Sequence, residues 1–134
     1  MSAEDGLPPA GFAPFVSRSP FIQRAGSFYA RTEADGSRTV GAWIGVDQSN
    51  TEGFAHGGYM MAFCDFALST VTMAITLNLS ADFLRPARIG DWVEAHIVER
   101  KRSDSLVFAD AIVMCDGREL LRVSGVFRPF QKRS

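Results

Sequence analysis

The stretch from Tyr59 to about Val71 constrains this chain more than any other. Met60, Met61, Ala62, Phe63, Cys64, Phe66, Ala67 and Leu68 are apolar on every face of a helical wheel, and a helix of that kind must be enclosed by other structure. Asp65 alone breaks the pattern, and between Gly53 and Ala81 it is the single formal charge. So long an uncharged run invites a membrane reading. Ser69, Thr70, Thr72, Thr76, Asn78 and Ser80 argue against it, as does a mid-span carboxylate that would cost about 3 kcal/mol on insertion. No membrane span is expected.

What encloses the helix follows from its flanks. After it come three or four strand-like runs, 74–83, 91–100, 106–115 and 119–130, broken at Arg85-Pro86 with Gly90, at Ser103-Asp104 and at Asp116-Gly117. Before it, Phe28 to Thr32 and Arg38 to Val46 flank Asp35-Gly36, a hairpin signal. From Leu7 to Gly26 the residues Phe12, Phe15 and Val16, then Phe21 and Ile22, lie at helical intervals split by Ser19-Pro20, which predicts two short helical pieces. Gln48 to Phe54 is a polar loop leading to His56-Gly57-Gly58. The order is hairpin, buried helix and antiparallel meander, an α+β fold with an antiparallel sheet wrapped around one long central helix. The expected division is an N-terminal segment with short helices over residues 1–26 and a single domain over 27–134, since 134 residues are the usual size of one domain.

Composition narrows the partners. With 14 basic and 15 acidic residues the net charge is −1, so no global field favours nucleic acid or anionic lipid. Cys64 and Cys115 each sit in an apolar run, which predicts buried thiols in a reducing compartment and no disulfide framework. Met1 to Asp5 holds no basic residue, and Pro8 and Pro9 precede any long apolar stretch, so a secretory signal is not expected and the cytoplasm is. His56 and His96 are the only histidines and have no close-spaced Cys/His neighbours, so neither a metal nor another cofactor is expected.

An isolated carboxylate within an apolar helix shifts its pKa upward, finds a partner or faces a cleft. Asp65 therefore reads either as a chemical group or as an acid satisfied by Ser69, one turn on. Ser69 has its own structural reading, a hydroxyl bonding back to a helix carbonyl. His56-Gly57-Gly58 precedes the helix, where unpaired N–H groups and the positive dipole end suit a developing negative charge. The same glycines also fit a turn needing unusual φ. Arg85 and Arg88 in one loop, and Arg100, Lys101 and Arg102 at a strand end, read as solvated turns or as countercharge for a phosphate. Arg128, Lys132 and Arg133 read as a solubilising tail.

Asn50-x5-His56-Gly57-Gly58-x6-Asp65, followed by Phe83-Leu84-Arg85-Pro86-Ala87-Arg88-Ile89-Gly90-Asp91, resembles the PaaI-like branch of hot-dog acyl-CoA thioesterases. The resemblance runs from Asn50 to Phe127. It implies a sheet wrapped round a long helix, two chains paired into one continuous sheet, and a dimer or a dimer of dimers. It further implies an acyl-CoA substrate and a role for each matching residue. Asp65 matches a general base or nucleophile, and Gly57 matches the backbone N–H that polarises the thioester carbonyl. Asn50 matches a side chain near that carbonyl, with His56 holding it in place. Thr76 falls where some relatives carry a hydroxyl that positions water, and Ser69 where others carry a threonine beside the acid. Gly58 would let the substrate approach the backbone, and Arg85, Arg88 or the Arg100–Lys101–Arg102 cluster would bind coenzyme A phosphates.

Distance supports a site shared between chains. Gly57 and Asp65, eight residues apart on one helix, stand about 12 Å apart along its axis. A base acting through water and an oxyanion donor span only about 6 to 7 Å. Two helices packed antiparallel bring such groups together. A hydratase or dehydratase on this fold would want a paired histidine and acid that the sequence does not display. A non-catalytic acyl-CoA binder would differ in lacking turnover, and a purely structural oligomer would leave Asp65 unexplained. Phe54, Tyr59, Met60, Met61, Phe63 and Phe66 read as either an apolar acyl pocket or core.

Overall fold

The computed structural model describes residues 6–130; Met1 to Asp5, and Lys132 and Arg133 of the expected tail, lie outside the described residues. In chain order the elements are β1 (Ala13–Pro14), α1 (Pro20–Ala25), β2 (Tyr29–Thr32), β3 (Arg38–Trp43), a 3-10 turn (Val46–Gln48), α2 (Gly57–Thr72), β4 (Ala74–Phe83), β5 (Trp92–Arg102), β6 (Val107–Cys115) and β7 (Arg118–Pro129). The strands form one antiparallel sheet curved around α2, the arrangement that the resemblance implies.

Helix α2 is closed at both ends by local chemistry. His56 caps its start, and Met73, in the left-handed region at φ 55°, ends it by donating its N–H to Ser69 O. The Arg102 Nη2 donates to the last-turn carbonyl of Thr72 at 2.7 Å, a cation where the dipole is negative. Phe63, Cys64, Ala67 and Leu68 are fully buried against Val93, Ala95, Val107, Ala109, Ala111, Val113, Leu121, Val123 and Phe127 of the sheet. The alanines at 95, 109 and 111 are what lets a helix carrying phenylalanine and leucine approach the strands.

Three expectations are corrected. First, α2 is not enclosed all round. Met61, Ala62, Asp65 and Ser69 are only half-buried, and Gly58 and Thr70 are exposed, so one strip along the helix faces outward. Apart from Met61, the residues on this side are small or polar. Second, the last four strands are not a simple meander. The order is β1-β2-β3-β5-β6-β7-β4: β5 inserts beside β3, while β4 pairs with β7 and lies at the far edge. Among the described residues nothing pairs with its outer edge, and Ile75, Leu77 and Phe83 are exposed. Third, only one of the two N-terminal helical pieces forms. Ser19 caps α1 by accepting from Ile22 N–H at 3.3 Å, with Pro20 in the first turn. The earlier piece is extended and pairs with β2. Gly11, at φ +88°, and Pro14 oppose a helix there. Phe12 meets Trp92 at 5.1 Å and Phe15 meets Phe66 at 5.3 Å, so a spacing that mimics a helix sends the two rings to opposite faces of the sheet. Among the described residues no helix is long and apolar enough to cross a membrane.

Candidate active site

The start of α2 is organised by His56. Its backbone is extended (φ −62°, ψ 133°), and its Nδ1 accepts the N–H of Gly58 at 2.8 Å, which leaves the ring proton on Nε2. Its own N–H donates to Gln48 O at 2.8 Å and its carbonyl accepts from Met60 N–H at 3.0 Å. Gly57 is exposed, and among the described residues its N–H has no partner, the orphan donor expected at a helix start. Neither Gly57 nor Gly58 has positive φ, so the unusual-turn reading of this tripeptide does not hold. A Cβ at Gly58 would stand 3.0 Å from the His56 ring, whereas one at Gly57 would meet only Phe83 at 3.8 Å. Gly58 makes room for the cap. Gly57 meets nothing closer than the Phe83 ring.

Asn50 shapes the loop that precedes this start. Its Oδ1 accepts from Glu52 N–H at 2.9 Å and Phe54 N–H at 3.1 Å, and its Nδ2 makes no hydrogen bond among the described residues. Two turns into α2, Asp65 accepts a short hydrogen bond from the Thr76 hydroxyl of β4. Asp65 lies on the open strip of the helix, and its partner is Thr76 rather than Ser69. The tight left-handed turn at Met73 brings these residues together, and a bulge directly after Thr76, between Thr76 and Asn78 in the β4/β7 register, lies beside the pair, as bulges beside functional sites often do. Burial, with the adjacent Asp65 charge adding to it, pushes the Cys64 thiol up to about 12. Burial first, then Asp91 and Asp116, raises Cys115 to about 11. Neither thiol is a nucleophile near neutral pH.

The basic residues separate into two sets. Arg100 is bound to Asp110 at 2.8 Å, and Arg102 to Glu99 at 2.6 Å as well as to the end of α2; Lys101 makes no ion pair among the described residues. Arg85 and Arg88 line a cleft of about 400 Å³ together with Arg118, next to the turn that feeds α2, where Ala55 N–H donates to Ala87 O at 2.8 Å and Arg88 stacks on Phe54 at 5.2 Å. Arg118 was not singled out from sequence, because only the β4–β7 pairing brings its turn beside Arg85. Of the residues that read as pocket or core, Met60, Phe63 and Phe66 are buried, while Tyr59 lines a cleft of about 730 Å³ between α1 and α2. Phe21 and Arg24 of α1 line it too, and their only sequence signal was a large ring on a short helix. Among the described residues no group of three His, Cys, Asp or Glu side chains gathers as a metal would require. The arrangement therefore offers a carboxylate with a hydroxyl partner and, about 12 Å away on the same helix, a vacant backbone donor.

Comparison with known proteins gives concordant matches. Residues 52–121 match the family model described as the thioesterase superfamily. A protein of Pseudomonas aeruginosa whose name proposes esterase activity is 33% identical over 128 residues, covering 89% of this chain and 95% of that one. A substituted form of the phenylacetic acid degradation protein PaaI from Thermus thermophilus superposes with a TM-score of 0.72 at 28% identity, covering 84% of this chain and 100% of that one. A hypothetical thioesterase protein from Streptococcus pneumoniae, solved with coenzyme A, shares the fold with a TM-score of 0.73 at 20% identity, over 80% of this chain and 88% of that one.

Proposed function

The chain belongs to the thioesterase superfamily and has its hot-dog fold, and we propose that it hydrolyses acyl-CoA thioesters to the free acid and coenzyme A at a site shared between two copies. One observation carries the reading: the Asp65–Thr76 pair and the vacant Gly57 N–H belong to one continuous helix and stand about 12 Å apart along its axis, too far apart to act on a single carbonyl. The outer edge of β4 and the open strip of α2 are the surfaces on which a second copy would pack.

In this mechanism a water is held beside the hydrogen-bonded Asp65–Thr76 pair, donating to the Asp65 carboxylate. Asp65 takes its proton as the oxygen attacks the thioester carbon, and the carbonyl electrons move onto oxygen. That oxyanion is met by Gly57 of the partner subunit, at the positive end of its helix. Asn50 Nδ2 supplies a further donor near the carbonyl, and His56 keeps the helix start in shape. Collapse of the tetrahedral species re-forms the carbonyl and breaks the C–S bond, and the proton held by Asp65 leaves with the coenzyme A thiol. Arg85 and Arg88, with Arg118, supply countercharge for the nucleotide phosphates. Coenzyme A in the Streptococcus pneumoniae relative supports the substrate class. The buried thiols suit a reducing compartment such as the cytoplasm.

The test is thiol release over short, medium, long and aryl acyl-CoAs, with Asp65→Asn as the control. Turnover that falls about 100-fold or more in Asp65→Asn is the expected result. A rise in melting temperature with acyl-CoA but no thiol release would make the protein a binder instead. In the same assay Arg85→Gln and Arg88→Gln should raise KM with kcat little changed; an unchanged KM in both removes them from coenzyme A binding.

A further inference from the structure

Resting on the reading of the chain as an acyl-CoA hydrolase, we infer that α1 is the outer wall of the acyl pocket, where Phe21 on α1 and Ala62 on α2 set the size of the acyl group accepted. The cleft between the two helices holds about 730 Å³, within the range of small-molecule sites. It is lined by His56 and Gly58, the residues on either side of the vacant Gly57 donor, so it begins where the thioester carbonyl would be held. An acyl group whose carbonyl rests on that donor has this cleft immediately beside it.

The two walls differ in character. On the α2 side Tyr59 stacks nearly parallel to Phe28 and Phe63, at 6.3 and 6.4 Å with interplanar angles of 13° and 7°, which makes a stiff aromatic wall with Ala62 leaving space next to it. On the α1 side the helix has six residues and buries none of them. It is held by the Ser19 cap, by Gln48 Nε2 donating to Ala25 O at 2.9 Å, and by Ile22 and Ala25, which pack half-buried against the core. Phe21 is 67% exposed, a large ring with little internal contact that nonetheless lines the cleft. Folding gains little from a phenylalanine there; an apolar ligand lying against it would gain its contact.

The occupant is therefore an acyl group larger than acetyl, a ring or a medium chain. Its apolar body lies among Phe21, Ala25 and Ala62, and its far end approaches the polar rim of Arg24 and Asp47. The test measures kcat/KM of the full chain for acetyl-, hexanoyl-, benzoyl- and decanoyl-CoA in wild type, Phe21→Ala and Ala62→Phe. In wild type, hexanoyl- or benzoyl-CoA should be preferred to acetyl-CoA. Phe21→Ala should cut that preference at least fivefold, and Ala62→Phe at least tenfold. Phe21 is largely in solvent, so Phe21→Ala decides the matter even if Ala62→Phe does not fold. Wild-type turnover with unchanged selectivity ratios in Phe21→Ala would overturn this assignment while leaving acyl-CoA hydrolysis standing. No turnover of any acyl-CoA by wild type would instead remove the hydrolase reading, and this assignment with it.

Discussion

At the scale of the residue, a carboxylate in an apolar helix needs a reason, and the Thr76 hydroxyl with the open strip gives Asp65 one. If Thr76 holds the attacking water, Thr76→Val should lower kcat about 10- to 100-fold with KM little changed, and Thr76→Ser should recover most of the loss. Equal losses in both variants in steady-state assays would leave the hydroxyl without that part. Cys64 offers a test of burial itself. Its thiol ionises near 9 when free but only near 12 in the folded chain, so between those values the unfolded chain has lost a proton that the folded chain keeps. Stability therefore falls as pH rises through that window, by at most about 1.4 kcal/mol per pH unit from this group. Melting temperatures measured from pH 8 to 10.5 should fall less steeply in Cys64→Ala than in wild type; parallel slopes would show that the thiol is not held protonated. Asp65 was legible because it is the lone charge in a long apolar run. Its hydroxyl partner was not legible from spacing, since the contact depends on a left-handed Met73 that no glycine announces.

Among the elements, the outer face of the sheet depends on a position with no side chain. A Cβ on Gly41 of β3 would come within 2.2 Å of the Trp92 ring. That ring is fixed by Phe12 and Trp43, each 5.1 Å away, and by Glu94, to which its Nε1 donates at 2.8 Å. Gly41→Ala must push the indole out of this cluster, and a loss of about 1 to 3 kcal/mol is expected, readable by chemical denaturation together with a changed near-ultraviolet dichroism of the tryptophans. An unchanged unfolding midpoint would mean that the ring moves freely. Strand alternation, the hairpin glycine and the polar breaks made most elements legible in the sequence. The N-terminal Phe12–Phe15 spacing misled because three residues in extended chain and one turn of helix look alike when only apolar positions are counted. Pairing partners stayed hidden as well, for alternation says which face a residue takes but not which strand lies beside it. Arg118 was missed for that reason.

For the whole molecule, the shared-site geometry predicts complementation between two dead proteins. Asp65→Asn removes the base. Gly57→Pro removes the donor at a first helical position, where proline is tolerated, and the extended backbone of His56 is what a following proline demands. Unfolded together and refolded one to one, random pairing makes half the dimers mixed, and each mixed dimer has one intact site and one lacking both groups. Activity should return to roughly a quarter of wild type. A mixture as inactive as its parents, with mixed dimers shown to form and both variants folded, would refute the shared site.

The place of β4 at the far edge also bears on how the chain comes into being. Among the described residues its ladder runs to β7 alone, with Ala74 opposite Pro129 and Phe83 opposite Leu121. On a ribosome adding about 5–20 residues per second, the strand bearing Thr76 waits roughly two to seven seconds before Arg118 is made. During that interval α2 lacks the cover of Leu121, Val123 and Phe127, and a greasy helix and an unpaired strand stand open to chaperones and to other nascent chains. A stalled chain ending before Arg118 should be cut by protease within α2, and one released after Pro129 should resist. Birth order thus makes β7, synthesised after every other strand of this sheet, the one that closes the core over α2.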